Sequence, residues 1–83
     1  MTTLNELGDK ALAIFCFALY HQLTSGDEVT GVIAQDEAGH KADADGVAEL
    51  VRLDLATLTN GFITFTPAGL TLLQQLTGRV RGA

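Results

Sequence analysis

Cysteine and cations are both scarce in this sequence of 83 residues, and each scarcity excludes a class of protein. The single cysteine, Cys16, excludes an internal disulfide and any zinc site built on cysteines. Lys and Arg together number 5, against 10 Asp and Glu, so the formal net charge is −5. Because nucleic-acid-binding modules usually carry a basic stripe, this balance argues against a large phosphate-binding surface.

Long hydrophobic runs and catalytic motifs are also missing. The longest apolar run covers residues 11–20, whereas a membrane-spanning helix needs about 20 residues. The N-terminus lacks the basic start of a secretory signal, and no nucleotide-binding loop or motif of a hydrolase is present. We therefore expect a cytoplasmic protein that is not an enzyme and binds no cofactor.

Potential metal ligands are concentrated in one stretch, DEAGHKADADG, at residues 36–46. The calcium-loop pattern fails there, because aligning its glycine with Gly46 puts Lys41 and Arg52 where the first and last carboxylates belong. We interpret the stretch as a solvated turn that ends in helix-capping carboxylates, with no metal site.

The first half of the chain predicts three helices. Thr3 and Glu6 fit a capping box, which predicts a first helix that runs to about Leu23. A second capping box at residues 25–28 predicts a short helix that stops near Asp36. The third helix is capped by Asp43 or Asp45, since a carboxylate accepts from the free N–H groups of the first turn.

Two sides of the third helix differ in character. Val47, Leu50 and Val51 are predicted to form its inner face. Asp45, Glu49 and Arg52 follow at helical spacing on the outer face. The outer face is therefore mostly acidic.

A hairpin and a last helix are predicted after residue 54. Asn60-Gly61 is typical of a two-residue type I′ turn, because both residues tolerate positive φ. The arms of the hairpin are residues 55–59 and 62–66, with Phe62 or Ile63 and Phe65 aimed at the core. Thr66 then caps the last helix and Pro67 takes its first position. Gly78 is predicted to end this helix.

The order helix, helix, helix, hairpin, helix resembles a winged helix, which is a helix-turn-helix followed by a β-hairpin wing. The stretch GFITFTPAGLTLLQQL is similar to the wing strand and C-terminal helix of bacterial MarR-type and PadR-type regulators, and VAELVRLDLA is similar to their recognition helix. The resemblance covers roughly residues 25–76. It implies one mostly α domain over residues 1–83, with one β-hairpin (an α+β fold) and a role in gene regulation.

Two functions are compatible with this resemblance. The first is a bacterial or phage-type regulatory module that acts through protein contacts, with Asp45 and Glu49 as an acidic face toward a protein partner. The wing favours this function, because it carries no Lys or Arg to bind a phosphate. The alternative is a dimeric DNA-binding transcriptional regulator, with the third helix (about 43–54) at the DNA and Lys41 and Arg52 as its cations.

The first helix predicts a homodimer. It is apolar nearly all round, and a helix of that kind is buried on more than one side. Because a chain this short has a small core, we expect a second chain to cover the second side. The predicted dimer interface consists of Leu12, Phe15, Phe17 and Leu19.

Overall fold

The computed structural model describes residues 3–33 and 42–82. A 3₁₀ turn at Leu4–Glu6 precedes three α-helices: α1 (Asp9–Ser25), α2 (Ala44–Arg52) and α3 (Pro67–Gly82). Three strands, β1 (Gly31–Ile33), β2 (Ala56–Thr59) and β3 (Phe62–Phe65), form an antiparallel sheet in the order β1-β3-β2. The predicted α+β class is therefore confirmed for the described residues, and the sheet is larger than a hairpin.

The first helix begins later than predicted. The hydroxyl of Thr3 donates to the Glu6 carboxylate at 3.2 Å, so these side chains bond each other and not the backbone N–H groups that a capping box requires. Gly8, with extended φ and ψ of −68° and 165°, separates the 3₁₀ turn from α1. The capping-box prediction at Thr3 is therefore wrong, although the helix end falls near the predicted position.

The predicted second helix is wrong over the described residues before 34. The Ser25 hydroxyl accepts from the Asp27 N–H at 3.2 Å and forms a local turn instead of a helix cap. The chain then extends into β1, where Val32 pairs with Ile63. β-Branched residues favour strands, and Gly31 weakens a helix. The remainder of this predicted helix, to Asp36, lies outside the described residues.

The capping prediction for α2 is confirmed. The Asp43 carboxylate accepts from the Asp45 N–H at 2.8 Å at the start of the helix. At its end, Leu55 N–H donates to the carbonyl of Leu50 at 2.9 Å, and Asp54, with φ of 61°, takes the left-handed position that usually belongs to Gly. Val51 is 46% exposed, so its predicted inward orientation is wrong.

The hairpin has the predicted turn. Asn60 and Gly61 have φ values of 52° and 77°, the positive pair that a type I′ turn requires. Ile63 and Phe65 face the core, whereas Phe62 is 42% exposed. Thr66 caps α3 as predicted, because its hydroxyl accepts from the Gly69 N–H at 3.2 Å.

The last helix continues past the predicted stop. α3 runs through Gly78 to Gly82, so the prediction that Gly78 ends the helix and begins a tail is wrong. A single glycine costs a helix only about 1 kcal/mol relative to alanine, and that penalty does not stop this helix.

The core lies where α1, the inner face of the sheet, α2 and α3 meet. Phe15 of α1 stacks on Phe65 of β3 with ring centroids 5.1 Å apart. The largest fully buried side chains come from all these elements: Phe15, Leu50, Ile63 and Leu73. Each such burial contributes about 1.5–3 kcal/mol, so the hairpin and the helices stabilise one another.

Substitution by alanine is expected to have opposite effects on the free energy of unfolding at two glycines of α3. A Cβ at Gly69 would overlap the Leu55 carbonyl, whereas a Cβ at Gly78 would meet open space. We expect Gly69→Ala to lower the free energy of unfolding by about 1–3 kcal/mol through overpacking. Gly78→Ala raises it by about 0.5–1 kcal/mol through helix propensity. Urea unfolding of both variants measures this difference, and effects of equal sign would contradict the packing described for Gly69.

The hairpin turn gives a second prediction. Gly61→Val places a β-branched residue at positive φ, which costs more than the 1 kcal/mol or so that an ordinary side chain loses there. The thermal unfolding midpoint should fall. Thr59→Val, a change in the neighbouring strand with no positive φ, is the control and should change it little. An unchanged midpoint for Gly61→Val would show that the turn is not of type I′.

Candidate functional site

The predicted acidic face is partly neutralised by α1. The ammonium group of Lys10 lies 3.3 Å from the Asp45 carboxylate and 3.5 Å from that of Asp43. All three side chains are largely exposed, and ion pairs between exposed side chains contribute little to stability. Asp45, predicted to contact a partner, therefore already has a cationic neighbour within the chain.

Glu49 connects α2 to the start of α1. Its carboxylate accepts from the Gly8 N–H at 2.9 Å. Gly8 has no side chain to cap α1, and the positive end of the helix dipole favours a carboxylate at this position. Glu49 is half-buried and so contributes to the packing of α1 on α2. Its role as a partner-binding residue stays a prediction.

The pKa of the Asp43 carboxyl group is lower than its ordinary value. The hydrogen bond from the Asp45 backbone N–H is the main cause, and nearby Lys10 adds to it. The same cluster raises the pKa of Lys10, first through its hydrogen bond to Asp45. Both shifts favour the charged forms, so this cluster stabilises the α1–α2 contact at neutral pH.

Cations are dispersed over the described structure. Arg52 is exposed at the end of α2, while Arg79 and Arg81 are exposed in the last turn of α3. Within residues 3–33 and 42–82, none of these three arginines forms an ion pair or a side-chain hydrogen bond. Lys41, the other predicted DNA-binding residue, lies outside the described residues. Of the two cations predicted to bind DNA, only Arg52 lies within the described residues.

The predicted dimer residues lie mainly inside one protomer. Phe15 is fully buried and Leu19 is 7% exposed, so both belong to the protomer's own core and are not available to a second chain. Leu12 and Phe17 are partly buried against the same core. The sequence analysis predicted the β2–β3 hairpin but not β1, which also packs against α1. The exposed large hydrophobic residues of α1 are Tyr20 and Leu23, and the homodimer itself stays a prediction.

The wing is an uncharged strand region with exposed apolar side chains. We define it as the β2–β3 hairpin together with β1. Ile33, Leu58 and Phe62 are 49%, 49% and 42% exposed, and Ile33 and Phe62 are direct cross-strand partners. A Cβ on Gly31 would lie 2.6 Å from the Phe62 ring, so that ring rests directly over Gly31. The alternation of side chains along the predicted strand did not decide whether Phe62 or Ile63 faces the core. The pairing of β3 with β1 shows that Ile63 faces the core and Phe62 faces outward.

The described residues offer no metal site and no membrane span. Between residues 3 and 33 and between 42 and 82, no group of three or more His, Cys, Asp or Glu side chains is arranged to hold a metal ion. Within the same ranges, no helix has the length and apolar character needed to cross a membrane. Most of the stretch 36–46 lies outside the described residues.

Comparisons with known proteins identify no relative. No family model, curated protein or solved structure matches this chain.

The lowered pKa of Asp43 predicts a pH dependence of stability. A carboxyl group whose pKa is lower in the folded state stabilises the fold above its unfolded pKa, near 3.8. That stabilisation is lost as the pH falls through the lower folded pKa. Asp43→Asn retains a helix-capping side chain without the titrating group. As the pH falls below 4, the free energy of unfolding measured in urea should decrease less for Asp43→Asn than for the wild type. Equal decreases in the two proteins would contradict a stabilising role of the ionised Asp43 carboxylate.

Proposed function

We propose that this protein is a small acidic winged-helix-like module that acts in gene regulation through protein–protein contacts, as a homodimer. The support for the fold is the order α2, hairpin, α3, which follows the segments that resemble MarR-type and PadR-type regulators. The antiparallel sheet β1-β3-β2 gives that hairpin a third strand. α1 and α2 are separated by residues 26–43, and the described part of that interval contains β1.

The wing carries the proposal. Its exposed large side chains are apolar, and residues 55–78 contain no charged residue. A wing that holds DNA needs cations, because affinity for duplex DNA comes largely from neutralised phosphates. Exposed apolar patches instead mark protein contacts. The outer face of the sheet, where Ile33 and Phe62 are cross-strand partners, therefore suits an apolar patch on another protein, whereas Leu58 pairs with the buried Ile63 on the other face.

The charge distribution supports the same conclusion. All ten acidic residues precede Leu55, so the hairpin and α3, which form the second half of the chain, contribute no carboxylate of their own, although Asp54, Asp27 and Glu28 lie beside α3. Two molecules, or a molecule and an acidic partner, approach each other through this half with the least repulsion. Self-association is therefore compatible with a net charge of −5.

Arg52 favours DNA binding as the second candidate function. This arginine is exposed on the outer face of α2, the helix that resembles a recognition helix, and it has no ion-pair partner in the described part of the chain. Arginine is the commonest residue to read guanine in the major groove. A dimer would present two copies of it.

A titration with random-sequence duplex DNA distinguishes the two functions. For a protein-contact module, we expect weak or absent binding at physiological salt and a shallow salt dependence. If Arg52 binds DNA, Arg52→Ala should lower the affinity and reduce the log–log salt slope by about one. Sub-micromolar binding by the wild type that Arg52→Ala weakens would establish the second function and contradict the first.

The wing contact has its own test. Phe62→Asp introduces a charge in the apolar surface, and Ala13→Asp introduces the same charge on the exposed side of α1. In affinity capture from a bacterial lysate, a partner of the wing should be retained by Ala13→Asp and lost by Phe62→Asp. Equal capture by both variants would show that the partner contacts another surface.

A further inference from the structure

An apolar groove lies between the α2–β2 turn and the first half of α3. It has a volume of about 320 Å³, and its walls include Leu53, Leu55 and Leu72, with Thr71 and Gln75 on the α3 side. Asp54 is the one charged residue in its lining. The groove therefore suits an apolar stem that ends in a cation.

Asp54 has an electrostatically unfavourable position within the protomer. Its backbone N–H donates to Val51 and its carbonyl accepts from Thr66, but its carboxylate has no hydrogen bond or ion pair among the described residues. That carboxylate lies at the C-terminal end of α2, where the helix dipole disfavours negative charge. Asp54 is exposed to solvent, and a cation beside it would offset this negative charge at the helix end.

A second depression continues along the same face of α3. It is lined by Gln75, Gly78, Arg79 and Gly82, and it meets the apolar groove at Gln75. The residues on this face are separated alternately by three and four positions, at 68, 71, 75, 78 and 82. Helices that pair along their length have this spacing. Arg79 lies eight residues from Thr71, about 12 Å along the helix axis. Arg79 is therefore too far from Thr71 to occupy that end of the groove within its own protomer.

We infer that two copies of this chain pair through antiparallel α3 helices, with Arg79 of each copy in the apolar groove of the other and its guanidinium on Asp54. A twofold axis at Gln75 places Arg79 opposite Thr71 of the second copy and Gly82 opposite Ala68. The contact is isologous, so both Asp54–Arg79 pairs form together. The inference deepens the self-association within the proposed function and rests on it.

Four features fit a second copy as the occupant. The groove supplies an anion and the other end of the same helix face supplies the matching cation, so the charge complementarity is between two copies of one surface. Gly78 and Gly82 leave little side chain in the way of a close helix approach. The arginine stem covers apolar surface while its charged head reaches the carboxylate. α3 contains no acidic residue that would oppose the contact.

Charge reversal tests the pairing in the full chain. Sedimentation equilibrium of the wild type should show a dimer. Asp54→Arg and Arg79→Asp should each raise its dissociation constant about tenfold or more, since each change breaks two pairs per dimer. The double variant Asp54→Arg with Arg79→Asp should recover the wild-type value within about threefold. Arg81→Asp, the same charge change on another side of α3, is the control and should leave it unchanged.

Cross-linking gives a readout that does not depend on the charges. In a Cys16→Ser background, Gln75→Cys places one thiol near the twofold axis, and mild oxidation should yield a covalent dimer. Asn60→Cys in the same background places the thiol on the wing turn and should give little dimer. Thermal unfolding by circular dichroism verifies that each variant is folded before it is compared.

The outcomes separate this inference from the proposed function. If neither Asp54→Arg nor Arg79→Asp changes the dissociation constant of the dimer, the α3 pairing is wrong and the homodimer forms through another surface. A wild-type monomer overturns the pairing and the homodimer together. A monomer that captures a different protein, and loses it in Asp54→Arg, assigns the groove to that protein and also overturns the inference. The DNA titration is independent of all three results.

Discussion

Three hydrogen bonds at Thr66 determine how the second half of the molecule is assembled. Its backbone N–H donates to the Leu55 carbonyl at 2.9 Å, and its hydroxyl donates to the Asp54 carbonyl at 2.8 Å. The same hydroxyl accepts from the Gly69 N–H at 3.2 Å. One residue therefore ends β3, fixes it to the end of α2 and caps α3. This junction explains why a hairpin arm leads directly into the last helix.

The junction also positions the surfaces that carry the functional argument. It holds Asp54 at the mouth of the apolar groove and aligns α3 along that groove, while the hairpin extends from the same point with an uncharged tip. Acidic residues are confined to the chain before Leu55, where Lys10 and Gly8 already engage Asp45 and Glu49. Asp43, Asp45 and Glu49 thus connect α2 to α1, whereas residues 55–78 carry no charge.

Elements with a local cause could be predicted from the sequence. The Asp43 cap, the Asn60-Gly61 turn and the Thr66-Pro67 start of α3 each depend on residues within a few positions of one another, and the structure contains all three. β1 could not be predicted in this way, because its conformation depends on pairing with β3, about 30 residues later. The hydrogen bond between Glu49 and Gly8 likewise joins residues 41 apart. Of the candidate site, sequence reasoning found the uncharged hairpin but missed the groove at Asp54, which exists only after the α2–β2 turn lies against α3.

Nuclear magnetic resonance would test the central claim, that this winged-helix-like chain acts through protein contacts and not through DNA. The measurement is a titration of the ¹⁵N-labelled full chain with random-sequence duplex DNA at physiological salt. The account predicts that the amide resonances of α2 and of the hairpin do not shift. Saturable shifts clustered around Arg52 and the hairpin turn at Asn60 would contradict it and would identify the surface as a DNA-binding one.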